Sequence, residues 1–376
     1  MMITEEQEMM RQAASQFART HLTPRAAARE KAGRVEPELI AALAEAGFLG
    51  VTVAPEWGGT GADYVAYALV LCEIAAGDGA VSTLVSVHNS PVCAILERFG
   101  TDEQRRRLLA PMARGEGIGA FALTEAQAGS DASAIRTRAV RTANGYRIDG
   151  AKQFITSGRI GKLAIVFAVT DPAAGKRGIS AFAVPTDAPG FTVVRVEDKL
   201  GQAASDTASL AFDGLEVPVE NRLGKEGDGY RIALSSLETG RIGIAAQSVG
   251  MAQAALAYAV EYARTRVAFG RPIFEHQAVS HRLADARTKL EAARQLMLHA
   301  ARLKSNEQPC LAEASMAKLF ASETAEQICS AALQTLGGYG YLADFPLERI
   351  YRDVRVCQIY EGTSDIQRML IARHLA

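Results

Sequence analysis

The sequence predicts a mainly α-helical protein with a central β domain. Three observations carry that reading: a helical period up to about residue 118, a run of short extended segments to about residue 228, and a sustained helical period beyond it. The expected domains are therefore an N-terminal helical domain at 1–118, a middle antiparallel β barrel or sandwich at 119–228, and a helix bundle at 229–376. A chain of 376 residues, at roughly 150 per domain, agrees with two or three such units.

In the first region, Asp63 to Ala76 is long and apolar, and Thr101-Asp102-Glu103-Gln104 has the form of a capping box opening a helix through Arg114. The tract Pro55 to Gly61 is a turn, because its glycines would unravel a helix. In the second region, Ile135 to Arg141 and Tyr146 to Asp149 flank Asn144-Gly145, a dipeptide that tolerates positive φ at both central positions of a hairpin. Leu163 to Val169, Ile179 to Val184, Phe191 to Val196 and Thr207 to Phe212 are further strands. With no helical crossover between them, a doubly wound parallel sheet is disfavoured. In the third region, Val279, Leu283, Ala286, Leu290, Ala293, Met297 and Ala300 alternate by four and three, the seam of a long packed helix. Gly240 to Arg264 and Leu311 to Leu336 flank it, and Ser364 to Gln367 caps a last short helix.

Composition excludes several functions. The 41 Lys and Arg balance 42 Asp and Glu to a formal charge of −1, so no basic field exists for nucleic acid. The five cysteines form no C-x-x-C pair, which suggests reduced, buried thiols and neither a disulfide framework nor a zinc site. The start, MMITEEQEMM, lacks the basic and apolar regions of a signal peptide, so a cytoplasmic protein is expected. Ile242 to Val260 is uncharged, yet Gln247, Ser248 and Gln253 and its many Ala and Gly favour a buried helix over a membrane span.

The sequence contains no G-x-x-x-x-G-K-S/T, H-E-x-x-H or G-x-S-x-G, and Gly337-Gly338-Tyr339-Gly340 lacks the dinucleotide-binding spacing. His276 and His281 lie five apart and share a helix face poorly, which favours capping or surface roles over a metal. His88 reads either as a satisfied histidine or as a neighbour of a cavity. Two polar tracts break the hydrophobic pattern. Leu123 to Asp131 is either a linker or a backbone cradle for a polar ligand, and Glu361, followed by glycine before a capped helix, is either solvated or a base aimed into a cleft.

Taken together, these tracts resemble the acyl-CoA dehydrogenase family from about residue 3 onward. The family's T-E-P-x-A-G-S-D is similar to Thr124–Asp131, its K-x-W-I-T-N-G to Lys152–Gly158, and its R-x-x-F-G to Arg266–Gly270. Its Q-x-x-G-G and Y-E-G-T-S are similar to Gln334–Gly338 and Tyr360–Ser364. The resemblance implies that the third domain is a four-helix bundle. It also implies an FAD enzyme that converts an acyl-CoA to the trans-2-enoyl-CoA, Glu361 taking the α-proton while the β-hydrogen leaves as hydride to the flavin. Some relatives carry the base at the position of Gly240, which here has no side chain.

The resemblance assigns Phe121, Leu123, Thr124, Gly129, Ser130, Phe154 and Thr156 to FAD. It assigns Arg266, Phe269, Gln277, Gln334, Gly338 and Thr363 to FAD as well, mostly that of a neighbouring subunit, which implies a homotetramer. Ser130, Glu238, Arg241, Tyr360 and Gly362 fall to the acyl-CoA substrate, and electron-transfer flavoprotein is the implied acceptor. Phe154 and Ala126 depart from the family's Trp and Pro, and Gln202-Ala203 stand where many relatives have an apolar residue and Arg. The short-chain and short-branched-chain branches are nearest, by Asp198–Gly201 and Glu238–Gly243. An acyl-CoA oxidase and a non-catalytic binding protein are the competing readings. The chain length speaks against the first, and retention of Glu361 with the flavin tracts against the second.

Overall fold

A computed structural model describes residues 3–375. Each early helix starts where its cap dictates. Thr4 and Gln7 form a reciprocal box ahead of Glu5–Phe17, and the Asp63 carboxylate accepts the Ala66 amide at 2.8 Å to open Tyr64–Gly77. The Thr101/Gln104 box also forms, but the helical run behind it widens to a π segment at Arg105–Leu109 before ending at Ala110–Ala113. Pro111 has no amide to offer the preceding turn, so the hydrogen-bond register slips there. His88 is buried and satisfied: Nδ1 accepts the Gly119 amide at 3.0 Å while Nε2 meets the Met112 carbonyl at 3.1 Å. Burial pushes its pKa down to about 4, and it acts as a neutral strut between the helical region and the first strand.

Eight strands form one sheet: β1 Gly119–Ala122, β2 Arg138–Arg141, β3 Gly145–Thr156, β4 Leu163–Val169, β5 Ile179–Pro185, β6 Phe191–Val196, β7 Thr207–Pro218 and β8 Arg222–Leu223. Their order is β6-β7-β3-β2-β4-β5-β8, with β1 also on β4. Most pairs are antiparallel, as the sequence indicates, but β1 and β2 both run parallel to β4. The β2–β3 hairpin supplies the long connection that parallel pairing requires, a role usually taken by a helix. Asn144-Gly145 does not form the expected positive-φ turn, because neither residue has positive φ. Thr142 N donates to Gly145 O at 2.9 Å across a longer connection, and Gly145 is needed for close approach: a Cβ there would overlap Val217 O and sit 2.9 Å from Pro218 Cα.

Three long helices follow, Gly229–Thr265, Gln277–Ser305 and Leu311–Leu336, with Leu347–Val354 and Ser364–Arg373 behind them. The seam residues Leu283 to Ala300 are buried and Val279 lies at its edge, as the heptad spacing requires. Tyr64–Gly77 packs on two of these helices, so one core runs from Ala14 to Cys357 across the 118/229 division. Gly229–Thr265 and Gly79–Phe99 are long and apolar enough to cross a membrane, but their apolar windows are mostly buried in the molecule. The close approach at Gly145 is testable. Gly145→Ala should destabilise by about 1–3 kcal/mol through overpacking, read as a lower denaturant midpoint, and an unchanged midpoint would contradict the packing.

Candidate active site

Glu361 sits between the short helix Arg355–Gln358 and Ser364–Arg373, where Thr363 caps the latter. Its φ is 56° and that of Gly362 is 91°. These two left-handed residues turn the chain so that the carboxylate meets the long helix at Gly240. A Cβ built on Gly240 would overlap Oε2 and lie 2.7 Å from the carboxyl carbon. Only glycine leaves that space.

Oε2 of Glu361 is sealed from solvent without a hydrogen-bond partner, and so are Nε and Nη1 of neighbouring Arg241. Burial pushes Glu361 up to about 7, a rise restrained by Arg241 and Lys318. Burial likewise lowers the Arg241 pKa, opposed by Glu361 and Glu238. Unpartnered buried charge is costly in a folded chain, and three such atoms meet here. Among the described residues no helix-end carboxylate pairs with Arg241, which is only 4% exposed. Glu238 lies further out, taken up by Lys304 Nζ at 3.0 Å and Cys310 Sγ at 3.3 Å. Tyr360 anchors the loop from its other side, donating to Gln247 Oε1 at 2.7 Å.

The tract from Leu123 is not a linker. Lys152, fully buried on β3, donates to Leu123 O at 3.0 Å and to Glu125 Oε1 at 2.8 Å. Glu125 also accepts the Arg136 and Thr137 amides, and Gln153 N binds Thr124 O at 2.9 Å. Burial opposes ionisation of Glu125, but the Lys152 ammonium and these amides win and hold its carboxyl well below the usual range, at about 2. The result is a fixed wall of Leu123, Thr124 and β3.

Phe154 stands on that wall. The β3–β7 register shifts between Lys152 and Ile155, and Phe154 inside the shift has φ 60° and a 59% exposed ring. A bulge of this kind re-aims a side chain. Phe121 lies edge-on to Phe167, Thr156 is half-buried at the end of β3, and Gly129 and Ser130 are exposed with nothing within 4 Å of a Cβ at Gly129.

A second group forms elsewhere. Arg266, Gln334 and Gly338 line a cavity of about 590 Å³ together with Tyr262, Tyr339 and Leu342. Phe269, at φ 54° and 95% exposed, tips the small ladder between Val267–Ala268 and Arg271–Pro272, and Gln277 opens the next helix. His276 precedes that helix, but its side chain makes no cap bond: Nε2 meets Ala268 O on the small ladder at 3.1 Å. Glu361, Phe154 and Thr124 are absent from the cavity lining, so the residues grouped by resemblance occupy two places on one chain. Sequence reasoning missed the Lys152–Glu125 pair, although a lysine inside a buried strand was its available signal.

Residues 4–116, 120–215 and 227–376 match, in turn, the N-terminal, middle and C-terminal domains of acyl-CoA dehydrogenase. An acyl-CoA dehydrogenase of Bacillus subtilis strain 168 is 47% identical over 375 residues, covering 100% of this chain and 99% of the relative. The mitochondrial short-chain specific acyl-CoA dehydrogenase of Bos taurus is 44% identical, covering 99% of this chain and 90% of the relative. Butyryl-CoA dehydrogenase from Megasphaera elsdenii superposes with a TM-score of 0.98 at 40% identity, covering 100% of this chain and 99% of that one. With three domain matches in order and full-length likeness to short-chain enzymes, this chain belongs to the acyl-CoA dehydrogenase family, on its short-chain branch.

Proposed function

We propose that this flavin oxidoreductase dehydrogenates a short acyl-CoA between its α and β carbons, with Glu361 as the base. The observation that carries the proposal is the Glu361 carboxylate facing a glycine, its Oε2 sealed from solvent without a partner. A thioester α-proton is weakly acidic, so its removal needs a carboxylate made more basic by a dry site. The Glu361 amide is the chain's donor for the thioester carbonyl, where negative charge grows. Arg241, with two free donors, holds a polar part of the substrate, alongside Ser130, Glu238, Tyr360 and Gly362.

The residues fit FAD: an exposed aromatic ring is held out by a bulge, beside open backbone at Gly129 and a rigid wall at Leu123–Thr124. Phe121, Leu123, Thr124, Gly129, Ser130, Phe154 and Thr156 would hold it, with Thr363 near its adenosine end, completed by Arg266, Phe269, Gln277, Gln334 and Gly338 from a second copy. Bound FAD supplies the hydride acceptor. The exposed Phe269, Tyr341 and Val267 supply an apolar surface for that copy, in keeping with a homotetramer, and electron-transfer flavoprotein is the proposed acceptor. A short acyl group suits the interior one turn beyond Gly240, where a Cβ on Gly243 would meet Ser86 Oγ at 2.8 Å and Tyr67 OH at 3.1 Å.

Glu361→Gln should keep the yellow flavin and lose about 10²–10⁴-fold in turnover of butyryl-CoA with an artificial acceptor; a variant with most of its turnover would sink the assignment. Gly240→Ala should displace the carboxylate and lower kcat while flavin absorbance stays, and wild-type kcat would refute the placement. The base works ionised, so kcat/KM should rise with pH through about 7. The same shift acts on stability with the opposite sign, since the folded chain keeps a proton that the unfolded one releases as pH climbs from 4.5 to about 7. A flat kcat/KM profile between pH 5.5 and 8 would contradict this.

A further inference from the structure

Lys318 lies on the Leu311–Leu336 helix, on the face that Ala314, Ala317, Ala321 and Ala325 turn into the core, and it is fully buried. Lysine at such a position is rare without a specific partner. Here Nζ donates to the Gly362 carbonyl at 2.7 Å. Gln367 Nε2, from the last helix, donates to the same carbonyl at 2.8 Å and to Glu361 O at 3.3 Å. The loop they grip is the left-handed pair Glu361-Gly362, a conformation that a glutamate keeps only when its surroundings over-determine it.

We propose that Lys318 is a positioning residue for the base: bound to Gly362 O, it fixes the turn that aims the Glu361 carboxylate at Gly240, and its buried charge favours the ionised carboxylate. This rests on the reading of Glu361 as the base. The other groups facing the pair are Arg241 from the long helix, Cys357 from the turn before the loop, Glu323 on the Lys318 helix, and Tyr67 from Tyr64–Gly77. Burial pushes Lys318 down to about 8 and Glu361 up to about 7, and each charge opposes the other's shift.

Proton removal can be read alone with acetyl-CoA, which has α-hydrogens but no β-carbon and so cannot be dehydrogenated. In D₂O the flavin-loaded, full-length protein should move an α-proton to the Glu361 carboxylate and return a deuteron to the same carbon, measured as mass gain in acetyl-CoA. Absence of exchange in Glu361→Gln confirms the base, and exchange at the wild-type rate removes the foundation of the proposal. In Lys318→Met the acid limb of the exchange profile should move up by about one unit, a roughly tenfold loss at pH 6. Lys318→Arg keeps the charge and should keep the limb in place. A wild-type limb and rate in Lys318→Met, or an equal shift in Lys318→Arg, would overturn the proposal. If Lys318→Met does not retain flavin, Gln367→Leu decides: it loosens the same carbonyl without removing charge, so exchange should slow at every pH with the limb unmoved, and a wild-type rate would overturn the role of the grip.

Discussion

A carboxylate sealed against a helix backbone with no hydrogen-bond partner on its inner oxygen is the constraint around which the rest of this fold is arranged. Such a group is unfavourable in any folded chain, because burial removes its hydration. Its position is nevertheless held from several sides. The long helix leaves room for it at Gly240, Thr363 at the end of the loop caps the last helix, and Tyr360 ties the loop to Gln247 in the core. The continuous packing of Tyr64–Gly77 with the C-terminal helices gives that loop a stiff floor.

Backbone strain falls partly on positions assigned by resemblance. Six non-glycine residues have positive φ among the described residues, and three of them, Phe154, Phe269 and Glu361, carry assignments to cofactor or chemistry. The three arise differently: a bulge opposite β7, the tip of a two-residue ladder, and a turn between a short helix and a capped one. In each case the strain directs a side chain somewhere that ordinary extended or helical backbone would not.

Buried charge is divided by purpose. The Lys152–Glu125 pair is closed on itself and on amides, so it builds the wall of the β domain. Arg241 Nε and Nη1 and Glu361 Oε2 have no hydrogen-bond partner, in contrast to that closed structural pair. For a chain of nearly zero net charge, binding of anionic ligands depends on such local groups.

Much of the architecture was legible in the sequence, because strand and helix periods are local properties. β4 and β6 fall on the expected residues, and the Thr101 box and the heptad seam form as their spacing indicates. The Asn144-Gly145 dipeptide reads locally as a tight turn, but the need for glycine there comes from β7, some seventy residues away in sequence. The parallel pairing of β1 and β2 with β4 is not legible locally for the same reason: pairing partners are chosen by the whole sheet. By itself the sequence determined the order of helical and extended regions, the family motifs and Glu361 as the candidate base. Only the tertiary structure decided that Gly240 makes room for that carboxylate, that Lys152 closes on Glu125, and that Lys318 reaches the Gly362 carbonyl. Each joins residues distant along the chain, and the energy of a buried charge depends on which atoms folding brings within a few ångströms of it.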